Sequence, residues 1–290
     1  MKLVLKFNLA FIGMFLLGLL VSGMVSYNLL QNNARDEIVQ NARIMMEAAL
    51  STRSYTSNQI RPLLETQMKY LFLPQSVPAY AAAEYFNDLR KKYPEYSYKE
   101  ATLNPTNPRD RASDWEADLV ATFRQGNQQT EIIGERDAPT GRVLYLARPI
   151  QVKSDACLTC HSTVDAAPKT MIDYYGNANG FGWKLNEIIG AQIMSVPTAV
   201  PVQRAQATFK VFMASLTAVF LVIFVVLNAM LYYIVIRPIT TLSHLADQVS
   251  LGQLEVPEFT VRGRDEIGVL ADSFARMRKS LTKAMKMLEE

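Results

Sequence analysis

Residues 211–236 read VFMASLTAVFLVIFVVLNAMLYYIVI, a run without charge, closed by Lys210 on one side and Arg237 on the other. About 20 apolar residues make a helix that crosses about 30 Å of hydrocarbon, so this run is expected to span a membrane. A second such run stands at the N-terminus, where LVLKFNLAFIGMFLLGLLVSGMVSYNLL carries no charge between residues 8 and 27. A cleaved signal peptide shares its basic start and apolar middle. This run, however, exceeds the usual apolar core of a signal, lacks a clear A-x-A site and passes directly into QNNARDE, which favours an uncleaved anchor. Membrane helices are therefore expected over residues 8–30 and 211–236. Lys2, Lys6 and Arg237 flank their outer ends, which puts both termini in the cytoplasm by the positive-inside rule. The expectation is a two-pass protein of the bacterial inner membrane, with residues 31–208 extracytoplasmic and residues 237–288 cytoplasmic.

The chain has 290 residues and a net charge of +3, with its basic residues scattered. Nothing in that pattern resembles a nucleic-acid footprint. Within the outer region, Ile38, Ala42, Met45 and Ala49, with Ile44 and Ala48, recur at steps of three and four, so residues 31–70 are read as a helix continuing the first span outward. From about residue 93 the texture changes to Pro, Asn and Gly punctuation around short strand-like runs. YSYKEATL, TEIIGE, RVLYLARPIQV and IIGAQIMSVP are the strand candidates. SDWEADLVATFRQG is read as a short helix with Ser113 and Glu116 spaced as a capping box. Helices followed by an antiparallel sheet with inserted helices give an α+β sensor domain of PAS or Cache type.

Both cysteines and one of the two histidines fall within Cys157-Leu158-Thr159-Cys160-His161. Covalent haem c requires two thiols spaced to reach the two vinyl groups and a histidine directly after the second to ligate iron, which CLTCH supplies. Zinc requires four ligands; the other histidine, His244, lies across the membrane, so the fourth would have to be a carboxylate. A thioredoxin-like disulfide needs a helix start in a βαβ setting, which is not seen here, and a structural disulfide is the next reading after haem. Cys157 and Cys160 are therefore expected to form thioethers to one haem, with His161 as proximal ligand. The outer region holds no further His or Cys, which leaves Met, Tyr, Lys, water or nothing for the sixth position, and Met46 is the candidate there. Arg53, Arg61, Arg148 and Lys153 are available for the haem propionates, and YYGNANGFGWKL, with Tyr174, Tyr175, Phe181 and Trp183, reads as a tight loop lining the haem.

After the second span, Ile239, Leu242, Ala246 and Val249, and then Ile267, Leu270, Phe274, Met277, Leu281, Ala284 and Leu288, keep a heptad rhythm on either side of a linker containing Gly252, Leu254 and Val256. Helices this short bury such stripes by pairing with a second copy, so a homodimeric parallel four-helix bundle is expected.

Arg237-Pro238, the Gly252-x-Leu254 connector and Asp265-Glu266-Ile267-Gly268 resemble a HAMP linker domain over about residues 234–288. RSYTSNQIRPLL, LNPTNPRDRASDWEADLV, RPIQVKSDACLTCHST and GFGWKLNEIIGAQIMSVP resemble a family of bacterial haem-c sensor domains with a PAS-like fold. The resemblance implies haem on Cys157, Cys160 and His161. Some relatives use a cysteine of the preceding helix as sixth ligand. This chain has no third cysteine, which directs attention to the helix around Met45 and Met46.

The reading that unites these features is a transmembrane signal-transduction sensor. Its haem c iron detects redox state or a diatomic gas and relays the change through HAMP to a cytoplasmic output protein, without catalysis of its own. The alternative is a membrane-anchored electron-transfer cytochrome c, against which the HAMP segment counts, and a third is a receptor domain without haem.

Overall fold

The computed structural model describes residues 3–126, 129–139, 141–253, 255–257 and 265–289. Leu254 and Glu290 lie outside the described residues, as does the side chain of Leu288. The chain divides into two compact units, one of residues 28–208 and one of residues 1–27 with 209–290.

In the first unit, among the described residues, four strands form one antiparallel sheet: β1 (Ser97–Thr102), β2 (Ile132–Ala138), β3 (Gly141–Gln151) and β4 (Ile188–Pro197), in the order β1-β4-β3-β2. All four coincide with strand candidates read from sequence, to within a few residues at their ends. Alternation along the strands sends their side chains to two faces. Tyr98, Leu144, Leu146, Met194 and Val196 face one side, where they meet Ile38, Ala42, Met46 and Ala49 of helix α1 (Leu3–Tyr55). Ala82 and Phe86, on the same side, come from α3 (Pro78–Arg90), a helix that the sequence reading does not anticipate. Ala101, Ala147, Ala191 and Ile193 face the other side and pack on Leu119, Val120 and Phe123 of α4 (Asp114–Arg124). That helix starts as its capping box demands: the Glu116 carboxylate accepts from the Ser113 backbone N–H at 2.8 Å.

The helix expected over residues 31–70 is present and runs to Met68, with one change of hydrogen-bond register along it. Between α1 and α2 (Arg61–Met68), residues Thr56–Ile60 form a π-helical turn. Pro62 explains it: proline has no N–H for the carbonyl four residues back, and its ring crowds that position. Two short helices, α5 (Asp155–His161) and α6 (Lys169–Tyr175), fill the connection between the paired strands β3 and β4.

The second unit contains the N-terminal part of α1 and, from Phe209 on, α7 (Ala199–Met230), both helices long and apolar enough to cross a membrane. Phe15 stacks on Phe220 at 5.2 Å, Gly18 faces the same ring, and Tyr27 meets Phe209 edge-on at 5.6 Å. A second π-helical stretch, Leu231–Ile236, precedes α8 (Arg237–Ser250), whose Pro238 imposes the same missing donor. Gly252, at φ +88°, takes the left-handed turn after α8, and Asp265 caps α9 (Glu266–Glu289) by accepting from the Gly268 N–H at 2.9 Å. Leu242, Leu245, Val249 and Ala271 are buried, so Leu245 joins the α8 stripe read from sequence, while Ile239 stays exposed.

Met46 has no exposed surface and sits where α1 meets the sheet. Met46→Ala is expected to lower the stability of the protein by about 2–5 kcal/mol, the usual cost of emptying a packed methionine site, measured by chemical denaturation.

Candidate functional site

Helix α5 begins at Ser154, whose hydroxyl accepts from the Ala156 N–H at 3.2 Å. Within one turn of this helix Cys157 and Cys160 stand three residues apart, on the same face, as half-buried free thiols. Cys160 packs against a small apolar cluster of Phe72, Ala167 and Met171, joined by Val77, Tyr175 and Phe181. Burial pushes the Cys160 thiol up, while the nearby Arg61 charge pulls it part of the way back. A thiol so raised is a poor nucleophile at neutral pH, which counts against a redox-active disulfide.

His161 ends α5 and is held on two sides. Its ring stacks on Trp183 with centroids 3.8 Å apart and planes at 14°. Its Nδ1 lies 2.7 Å from the Gly180 carbonyl oxygen. A carbonyl only accepts, so Nδ1 carries the proton and the Nε2 lone pair is left free, the tautomer that a metal-ligating histidine needs. Burial also holds the imidazole below its ordinary pKa, and the Gly180 carbonyl offsets part of that shift. The glycine-rich loop makes the arrangement: Gly176, Gly180 and Gly182 all have positive φ, and Gly182 N–H and Trp183 N–H donate to the carbonyls of Ser162 and His161 at 2.8 and 3.1 Å. At Gly180 a Cβ would run into Thr106, so only glycine brings its carbonyl this close.

A buried polar network adjoins the motif. Arg53 of α1 pairs with Glu100 of β1; Tyr98 donates to Glu100 at 2.8 Å, and Gln192 donates to the Tyr98 hydroxyl at 3.1 Å. The Cys157 thiol lies within the electrostatic reach of Arg53. Among the propionate candidates, Arg53 is thus engaged by Glu100, and Arg148 by Glu47 and Glu131. Arg61 is half-buried and makes no ion pair among the described residues. Lys153 is exposed.

The two thiols and His161 share α5, and Trp183 and Phe181 join them as the sequence reading expects. Met46 is placed elsewhere, in the α1–sheet cluster, whereas Cys160 belongs to the cluster around Phe72 and Met171. Among the described residues no three His, Cys, Asp or Glu side chains are grouped to hold a metal ion, which a zinc site requires. The donor set on α5 fits a haem c: two thiols that could form thioethers, a neutral imidazole with Nε2 open, and an apolar, aromatic surround. Sequence reasoning missed Asn104, Thr106 and the carbonyl of Gly180, because a backbone acceptor leaves no residue-type signal.

Residues 31–197 match the family described as Tll0287-like, and residues 230–283 match the HAMP domain. Among solved structures the chain is similar to the cyanobacterial heme-protein Tll0287, at 13% identity and a TM-score of 0.43, covering 56% of this chain and 95% of that one. No curated protein matches the chain.

Asp110, beside Arg109, is pushed up by burial to about 6, the guanidinium offsetting only part of that shift. Since the folded carboxyl titrates above the unfolded one, its favourable contribution is complete at acid pH and is lost as pH rises through about 6. Asp110→Asn should therefore raise stability at pH 7 by about 1–2 kcal/mol and leave it unchanged near pH 3.5, read as melting temperature against pH.

Proposed function

We infer the function from a premise that the match over residues 31–197 supplies: this chain belongs to the Tll0287-like family. Our proposal is a transmembrane sensor that would carry one haem c on Cys157 and Cys160, with His161 as the imidazole that would bind its iron. It relays the state of the iron through HAMP in a homodimer, with a PAS-like extracytoplasmic domain and both termini in the cytoplasm. One observation carries the proposal: Nδ1 of His161 is committed to Gly180, leaving Nε2 free beside two free thiols on the same turn. When bound, the haem supplies a one-electron couple and a coordination position for a protein group or a diatomic gas.

The chain's own residues divide the remaining work. Cys157 and Cys160 would hold the group covalently, and His161 would present Nε2 to it while Trp183 immobilises the ring. Phe72, Met171, Tyr175 and Phe181 exclude water on the Cys160 side. Arg61, half-buried and without an ion pair among the described residues, would offer a cation to a propionate.

A unit charge acting over about 8 Å at an effective dielectric near 20 is worth roughly 2 kcal/mol. Full reversal of a two-state element takes about 5.5 kcal/mol, so charge alone falls short and a packed element has to move. The part of the chain best placed to do so is α1, whose Arg53 feels the charge at Cys157 and whose π-helical continuation, Thr56–Ile60, lies between Arg53 and Arg61. In the HAMP segment Leu270, Met277 and Leu281 stay exposed on α9, the apolar face that a second copy would cover. A HAMP bundle serves no purpose in a simple electron carrier, so the cytochrome reading is the weaker one.

The test is covalent haem staining of the full chain expressed with the cytochrome c maturation machinery. The wild type should retain haem in a denaturing gel and lose it as Cys157→Ala/Cys160→Ala. His161→Ala should keep some covalent haem but show an altered Soret band. An unstained wild-type band with intact protein would overturn the proposal.

A further inference from the structure

Asn104, in the loop after β1, makes two hydrogen bonds to a single piece of backbone. Its Oδ1 accepts from the Gly180 N–H at 3.2 Å, and its Nδ2 donates to the Phe181 carbonyl at 3.3 Å. The same Gly180 presents its carbonyl to His161 Nδ1 at 2.7 Å. One side chain thus grips the peptide units on both sides of the acceptor that fixes the histidine. Asn104 is itself held: the Leu103 N–H donates to the Ile189 carbonyl at 3.3 Å, and Pro105 and Pro108 stiffen the loop around Asn107, whose Oδ1 accepts from the Arg109 N–H at 3.2 Å.

We propose that Asn104 is a positioning residue for the axial imidazole: by clamping the Gly180–Phe181 backbone it sets the strength of the His161 Nδ1–H···O bond and, through it, the iron's preference for the ferric state. The inference rests on the haem reading above. The chemistry is general. An acceptor on the second ring nitrogen makes an imidazole a stronger donor to its metal, and outer-sphere partners of this kind tune affinity and potential as ligands do. Gly180 needs such a clamp, because its left-handed backbone at φ +87° carries no side chain to anchor it. Thr106 packs against Gly180 as well, with Oγ1 3.5 Å from Nδ1, a longer and weaker contact than the carbonyl's 2.7 Å.

The experiment is a spectroelectrochemical titration of the full-length, haem-loaded protein, with the iron–histidine stretching band of the ferrous, CO-photolysed form as second readout. Asn104→Ala should weaken the carbonyl's hold. At the wild-type midpoint potential the ferrous-to-ferric ratio should rise up to about tenfold, equal to about 59 mV for one electron, and the iron–histidine band should move to lower frequency. Gly180→Ala displaces the same carbonyl from the other side, so it should shift both readouts in the same direction. The double variant should go no further than the larger single one, since both act on one hydrogen bond. Haem-loaded Asn104→Ala with wild-type potential and band position, or additive shifts in the double variant, would overturn the assignment. A wild type without covalent haem would overturn the haem reading and this inference with it.

Discussion

The contact of α1 with the sheet is the constraint on which the rest of the outer domain depends. Four residues at helical spacing, Ile38, Ala42, Met46 and Ala49, form the stripe, and all are buried. The two alanines let the helix axis come close to the strands, and Met46 fills the irregular space between them. Polar clamps hold the helix in register on either side of the stripe. Arg43 and Glu47 engage Glu131 and Arg148, and Arg53 pairs with Glu100. The same 53-residue helix contains the first apolar span.

The candidate site is built against that fixed frame from flexible-looking material. The β3–β4 connection would be an ordinary long loop, yet its two short helices and three left-handed glycines are pinned by backbone bonds to residues 161–162 and by the side chain of Asn104. The result is one imidazole whose tautomer, tilt and neutrality are set by separate contacts: the Gly180 carbonyl, the Trp183 face and burial. Fixing a ligand in several ways before a metal arrives reduces the ordering cost of binding and makes the metal's electronics a property of the protein.

Much of this is legible in the sequence, for identifiable reasons. The strands announce themselves by alternation, α4 by its capping box, and the HAMP turn by a glycine and an aspartate whose roles are local. The grouping of Cys157, Cys160 and His161 on one short helix is legible because they stand within five consecutive residues. The rest depends on contacts between distant residues. Nothing in the local sequence says that Met46 packs with Leu146 and Phe86, since methionine suits a packed core and a ligand position alike. The π-helical turn at Thr56–Ile60 follows from Pro62, but its packing against α3 emerges only in the folded domain. The hold on His161 comes from a glycine carbonyl and an asparagine 57 residues before the histidine, a pairing that residue types do not encode.

In the proposed mechanism the iron's state reaches the HAMP segment. This relay is tested most directly by cross-linking Met277→Cys between two copies in membranes with a redox-inert bismaleimide, with the haem poised ferric or ferrous, and ferrous with carbon monoxide or nitric oxide added. The account predicts cross-linked dimers whose yield differs between at least two of these states, and a difference that disappears in His161→Ala. Equal yields in all states, or no dimer at all, would contradict it.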